Sequence, residues 1–318
     1  MKVTLAFMVL LVGAAWPALA AAIVACPANA TAKSCTFTGD GAIQAAIDKA
    51  ADGDTVLVRA GVYTPRAYRD LPYKEIIVRA FAAIDGKRLT IQGEEGAILD
   101  GSTGLPTTAI GLRNADVTIK GLVITGFRFD VEEDDIYEGH GIFAVDSRVR
   151  LRNVSISRYQ KMGLTGRGDT ILDVRNLQVL DGHVATWLYE GAYLRLDRGV
   201  FRGNDSSAVA VYDDSVAHLT RIAVDRSADD GLYAEDKATL YVSDSLILRS
   251  GPIALNATGG SRIIGRNLAL YANAADMSST GVTLEGTFSG DPLIDGEYLP
   301  LPGSPIKEKC IGPRTCTE

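Results

Sequence analysis

Apolar and polar residues alternate along this chain in short phrases, and the phrases recur. Residues 149–157 read VRLRNVSIS and residues 174–182 read VRNLQVLDG. In each, apolar alternation breaks at an Asn and then resumes. Copies begin at Val117, Val149, Leu172, Leu194, Ala217, Leu240 and Ile263, with steps of 32, 23, 22, 23, 23 and 23 residues. A fixed period of this length marks a solenoid. Strand side chains alternate in direction, so the first, third, sixth and eighth positions of each copy share one face if the phase shifts at the break. Of those positions only Gly199, Ser245 and Gly265 are not apolar, which assigns them to the core. The fifth position is the corner: Asn153, Asn176 and Asn267, Asp244, and Gly121. These residue types tolerate positive φ, which a tight bend needs. Arg198 and Arg221 depart from that rule.

A third strand precedes each copy, with apolar residues at Leu164, Val209 and Val211, Leu232 and Ala234, and Leu255 and Ala257. Three short strands per coil of 22–23 residues predict an all-β chain, a single-stranded right-handed parallel β-helix. The segment GAIQAAIDKAADGDTVLVRAGVY (41–63) places Ile43, Ala46, Ile47 and Ala50 on one helical face, followed by a strand. Such a helix covers the open first coil, an edge that otherwise invites aggregation. The Pro-rich DPLIDGEYLPLPGSPI (291–306) is expected to cover the last coil. The organisation expected is an export signal at 1–20, an N-terminal cap and first strand at 21–63, a β-helix at 64–290 and a C-terminal cap at 291–318 with a disulfide loop.

Composition adds the compartment. Lys2, an apolar run and Ala18-Leu19-Ala20 form an export signal with a small-x-small cleavage site, too short for a good membrane span. Ile23-Val24-Ala25-Cys26 also fits a lipobox, which would anchor Cys26 to a membrane surface. Secretion or a periplasmic location is the first expectation and lipid anchoring the second. Four Cys lie in two close pairs, Cys26 with Cys35 and Cys310 with Cys316, and an oxidising compartment predicts two local disulfides. A net charge of −7 argues against a nucleic-acid partner. Oligomeric state is not legible.

With its helical cap, its V-x-L-x-N-V-x-I coils and its DPL…YLPLPGSPI close, the chain resembles the pectin-lyase-like superfamily of exported β-helices. The resemblance implies a fold and a polysaccharide partner. It does not select among lyase, hydrolase, epimerase and non-catalytic members. It also implies that the third strand and the loop before it form a sugar-binding groove. The outward residues there are two files: Trp187, Ala210, Tyr233 and Asn256; and Arg167, Tyr189, Tyr212, Glu235 and Thr258. Trp187, Tyr189, Tyr212 and Tyr233 suit stacking on sugar rings, with Glu235 bonding to hydroxyls; alternatively, they are ordinary strand-surface aromatics.

Three further groups carry chemistry. Glu190, Asp213 and Asp236 fall at one equivalent position in adjacent coils, about 5 Å apart. Like charges so close suit Ca²⁺, which the resemblance to pectate lyases also implies, or they form a solvated acidic turn; no cofactor is certain. The 32-residue step marks an insertion within GFRFDVEEDDIYEGHG (126–141). It brings His140, and later loops bring His183, Asp229 and Asp230. Histidine is the natural acid/base near neutral pH. Gly139-His140-Gly141 and Asp229-Asp230 resemble polygalacturonase elements, but in reversed order and without the Arg-x-Lys partner, so that mechanism is not carried over. Arg167 is the candidate for neutralising a uronate. His218 lies on an outward strand position away from this edge and reads as structural.

Overall fold

The computed structural model describes residues 22–30, 34–130 and 135–315. The expected export signal and Cys316 lie outside the described residues. The chain winds into a parallel solenoid with two sheets. One runs through the paired strands on either side of the Asn corner, and the other is built from the third strands. Backbone pairing aligns Val117, Val149, Leu172, Leu194, Ala217, Leu240 and Ile263, the register expected from the repeat. The row extends beyond the seven copies, to Leu89 before them and Val282 after. Leu89 escaped the pattern because Glu94, Glu95 and Gly96 separate its two strands, Arg88–Gly93 and Ala97–Asp100, and break the phase.

All seven corners, Gly121, Asn153, Asn176, Arg198, Arg221, Asp244 and Asn267, have φ between 52° and 66°. Asn176 Nδ2 donates to Asn153 Oδ1 at 2.9 Å, and Asn267 Nδ2 to Asp244 Oδ1 at 2.7 Å. The corner amides therefore bond along the solenoid as well as turning the chain. Ser245, the hydroxyl in the inward rows, is fully buried and satisfied: it donates to Ser243 O and accepts from the Ile222 N–H.

The helix Ala42–Lys49 buries Ala42, Ile43, Ala46 and Ile47 against the first coil. Strand Ala22–Cys26 pairs in parallel with Thr55–Val58. Cys26 is bonded to Cys35, and Cys310 is also in a disulfide.

Two elements lie outside the repeat. In an antiparallel hairpin, Arg69–Tyr73 with Ile76–Asp85, the second strand joins the third-strand sheet beside Thr108–Arg113, and the apolar side chains of the hairpin pack on the outer face of that sheet. Leu71, Ile76, Val78 and Ala80 bury Phe143 and Val145 there. Gly111 permits the close approach, since a Cβ on it would meet Ala80 Cβ at 2.8 Å. The inserted loop locks the hairpin, because Ile136–Tyr137 pairs with Ile77–Val78. The C-terminal segment differs from the expectation of a cap on the last coil. It runs back along the side of the solenoid, where Tyr298, Ile306 and Ile311 cover the outward Val200, Ala223, Leu246 and Ala269. The physical reason is that these outward positions are apolar and need cover. Asp225, also outward and buried, accepts from Tyr298 Oη at 2.9 Å.

Leu196 faces the core and Arg195 faces outward. Leu196→Ala should destabilise by about 2–5 kcal/mol through lost burial and a residual cavity. Arg195→Ala should cost about 0.5 kcal/mol or less. Urea unfolding of both variants checks the register, and equal losses would refute it.

Candidate functional site

On the outer face of the third-strand sheet, backbone pairing sets Thr165, Trp187, Ala210, Tyr233 and Asn256 in one file. Tyr189 lies beside Arg167 in the next. The four half-buried aromatics are in mutual contact. Trp187 stacks on Tyr189 with centroids 5.3 Å apart and planes 10° apart. Tyr212 meets Trp187 edge-on at 6.0 Å and Tyr189 at 6.2 Å, and Tyr233 lies 5.6 Å beyond Tyr212. Short strands one coil apart bring together rings that are 21 to 25 residues apart in sequence. Tyr233 Oη donates to Glu235 Oε2 at 2.8 Å and lies 3.2 Å from Thr258 Oγ1. Burial, then Tyr233 and Glu235, push the Tyr212 phenol up to about 12, so it stays a hydrogen-bond donor.

Arg167 closes one end of this strip. It is buried, and its guanidinium bonds to both carboxylate oxygens of Glu190, at 3.2 and 3.0 Å. Glu190 also accepts from Lys74 Nζ at 2.9 Å and Tyr73 Oη at 3.3 Å, both at the hairpin tip. Tyr73, Tyr137 and Tyr189 ring the guanidinium, with centroids 5.8, 5.9 and 5.2 Å away. Burial pushes the Glu190 carboxyl up, but hydrogen bonds and charge from Arg167 and Lys74 outweigh it, and the net direction is down. Glu190 is thus a fixed anion that fastens the hairpin to the strip.

This explains why Glu190, Asp213 and Asp236 do not converge. All three occupy left-handed corners, with φ of 58°, 56° and 62°. Glu190 turns toward Arg167, and Asp213 Oδ2 accepts the Glu190 N–H at 3.1 Å. Among the described residues no group of three His, Cys, Asp or Glu is placed to hold a metal. The donor set expected for Ca²⁺ does not fit one, and no step is derived through it.

The other end of the strip carries the acidic pair. Asp230, before strand Leu232–Ala234, is 4% exposed, whereas Asp229 is exposed. Asp230 Oδ2 accepts from Asn256 Nδ2 at 2.8 Å, and its Oδ1 is buried without a hydrogen-bond partner. Burial, with a smaller contribution from Asp229, raises the Asp230 pKa against the opposing bonds from Asn256 and the Ile253 backbone. Burial thus disfavours the charged form of Asp230, the direction a general acid requires.

The histidines do not form a pair. His140 is 1% exposed beneath the inserted loop. It stacks on Tyr137 at 5.6 Å and meets Phe143 edge-on at 5.0 Å. Burial, then Lys161, hold it down to about 3, so it is neutral and enclosed. His183 is at the loop edge, where its Nδ1 lies 2.6 Å from Asp205 Oδ1. Tyr73, Lys74 and Asp205 are the site residues that the repeat does not announce. The signal available for the first two was the Tyr-Lys-Glu turn between apolar runs at 71 and 76–78.

Two acid-sensitive groups lie next to the hairpin: Glu190 bonds to its tip, and His140 packs on Tyr137 and Phe143, which share its apolar cluster. Both His140 and Glu190 have folded-state pKa values below their unfolded ones, so their contribution is present above the unfolded values and lost as pH falls. Thermal unfolding should weaken first below about pH 6.5, from His140, and again below the ordinary carboxylate range, from Glu190. Glu190→Ala should cost about 3 kcal/mol at neutral pH by leaving the buried Arg167 with only the exposed Glu75, 4.0 Å away, as an ion-pair partner. It should also remove the lower-pH loss. A pH-independent melting temperature in the parent protein would contradict this account.

No family model matches the sequence, and no curated protein matches it. Solved structures do. The chain is similar to pectate lyase Pel9A, with a TM-score of 0.60 at 10% identity, over 85% of this chain and 77% of that one. Weaker likenesses are to the periplasmic alginate epimerase AlgG, with a TM-score of 0.41 at 8% identity over 75% and 77% of the two chains. Another is to an exopolygalacturonase from Thermotoga maritima, with a TM-score of 0.44 at 7% identity over 78% and 88%. At such identities the likeness concerns the fold alone. The likeness in fold to Pel9A, with the long parallel sheets of the stacked coils, establishes that this chain is a right-handed parallel β-helix.

Proposed function

We propose that the protein is an exported carbohydrate-active β-helix that binds a polysaccharide along the third-strand sheet and cleaves it at the Asp229–Asp230 end. The observation that carries this reading is the contiguous strip Trp187–Tyr189–Tyr212–Tyr233 ending beside the buried carboxyl of Asp230 and the exposed one of Asp229. Half-buried rings offer flat apolar faces to the C–H faces of sugars, while Glu235, Thr258 and Asn256 supply polar partners for hydroxyls. In this role the Asp229–Asp230 pair supplies the base and the acid of hydrolysis: water adds to the sugar carbon as the glycosidic C–O bond breaks, and the leaving oxygen gains the proton that Asp230 supplies. Exposed Asp229 takes the proton of the incoming water, which completes hydrolysis. Elimination is less well served. Arg167 is committed to Glu190, and His140 is enclosed.

The Cys26–Cys35 disulfide supports an oxidising compartment and therefore export. A secreted or periplasmic protein accords with it better than a lipid-anchored one, because cleavage at the lipobox would remove strand Ala22–Ala25 from its pairing with Thr55–Val58.

A binding-only role is the second reading. It is favoured by the fact that three of the five catalytic candidates, Arg167, His140 and His183, are tied to partners or enclosed away from the strip.

Trp187 fluorescence should change with a bound oligosaccharide, and Tyr212→Ala or Tyr233→Ala should weaken binding by about tenfold, of the order of one stacked ring. Reducing ends released from a panel of neutral and acidic polysaccharides should fall at least about 100-fold with Asp230→Asn, the usual scale of a lost general acid, at unchanged binding. Binding without release of any product by the parent protein selects the second reading. Absence of both removes the strip as a site.

A further inference from the structure

Another side of the solenoid carries an arrangement that neither the repeat nor the strip requires. The outer face of the first-half strands holds a polar groove of about 590 Å³, walled by Arg152, Arg175, Arg195 and Arg221 with Tyr193 and His218 beside them. Its acidic residues are Asp173 and Asp197, so four guanidiniums face two carboxylates, a local balance of +2 on a chain of net charge −7. Three guanidiniums converge on Asp197: Arg221 at 2.6 Å, Arg198 at 3.3 Å and Arg175 at 3.7 Å. Arg152 pairs with Asp173 at 3.1 Å. Arg195 is exposed and makes no ion pair among the described residues.

Such crowding of like charge around one carboxylate is unfavourable unless further negative charge is supplied. Two of the converging arginines, Arg198 and Arg221, sit at left-handed corners where other coils place Asn, Asp or Gly. A long side chain at φ of 62° and 53° is an uncommon choice there. Beside the arginines runs a ladder of rings. Tyr193 lies 5.6 Å from His218, and His218 stacks on Tyr241 at 4.5 Å with planes 12° apart. Tyr193 and Tyr241 are each 37% exposed. Backbone pairing puts Arg195, His218 and Tyr241 in one file and Arg152 and Arg175 in the next. Burial, then Arg195, lower the His218 pKa, so the ring offers a neutral face rather than a third charge.

The ordinary reading is a solvated strand surface on which aromatics and arginines are both common. It accounts for each residue singly. It does not account for an excess of guanidinium beside exposed, aligned rings. We infer that this groove is a second binding site, for an acidic sugar chain: guanidiniums hold uronate carboxylates in paired hydrogen bonds, and the rings carry the pyranose faces. The site goes beyond the catalytic reading of the strip and does not depend on it.

The test uses the full-length exported protein and a saturated hexagalacturonate, with maltohexaose as the neutral control and inorganic phosphate as the bare anion. Calorimetry in low salt reads binding, while Trp187 fluorescence reports the strip separately. In a Tyr212→Ala background hexagalacturonate should still bind. Arg175→Gln with Arg195→Gln should weaken that binding at least tenfold, and Tyr241→Ala should weaken it several-fold. The fluorescence response of the strip in the otherwise unaltered protein should survive the arginine substitutions. Equal binding with and without the arginine pair overturns the site. Phosphate competing as well as hexagalacturonate reduces it to a bare anion site and overturns the sugar assignment. Loss of the fluorescence response alone, with groove binding retained, defeats the strip reading and leaves this one standing.

Discussion

The fold depends on a corner. Each coil must reverse phase within one residue, and it does so by placing that residue at positive φ, so that two strands of period 2 present their apolar sides to one interior. Once the corner is made, the rest follows from stacking. Each inward side chain lies over the equivalent one a coil away, and each backbone N–H finds its carbonyl in the next coil. The corner amides of Asn153 and Asn176 bond to each other, so the constraint also stabilises the stack. A slip of one residue would turn every inward side chain out, which is why the register is so strongly specified.

A stack of this kind leaves its outer faces free to differ, and here they do. Around the third-strand sheet, the hairpin and the inserted loop cover the first coils and leave the later ones bare. The boundary falls at Arg167. There a buried guanidinium, one carboxylate and three tyrosines form a closed polar knot. Beyond it the rings from Trp187 to Tyr233 are half exposed. On the side that follows the corner, the C-terminal segment covers the apolar Val200, Ala223 and Leu246. Cover is placed where the outward residues are apolar, and the uncovered surface is where rings and charges alternate.

The inward rows were legible from residue type and spacing alone, because period 2 and a break at Asn leave few alternatives. The early coil at Leu89 was hidden by a three-residue interruption, and the hairpin by its position outside the repeat. Site residues were legible as files along the sheet, because register follows from the coil. Their partners were not. Whether Glu190 faces Asp213 or Arg167 depends on the hairpin bringing Lys74 and Tyr73 to it across more than one hundred residues, 116 and 117 in sequence. The supposed acid–base role of His140 failed for a similar reason. Spacing placed it at an edge, but the neighbouring Tyr137 and Phe143 enclosed it.

The two ends of the strip differ in how they treat a carboxylate, and the difference follows from what each one is packed against. Glu190 is surrounded by cations, so its charge is stabilised and its proton is lost early; it is an anchor. Asp230 has a side-chain amide partner, a like-charged neighbour and no cation bonded to it, so burial dominates and its pKa moves up. An acid of this kind needs an acceptor brought close to Oδ1, and the protein itself offers none. The same strand geometry thus yields a carboxylate locked by cations at one end and a buried one without a cation at the other, with the rings of three successive coils between them.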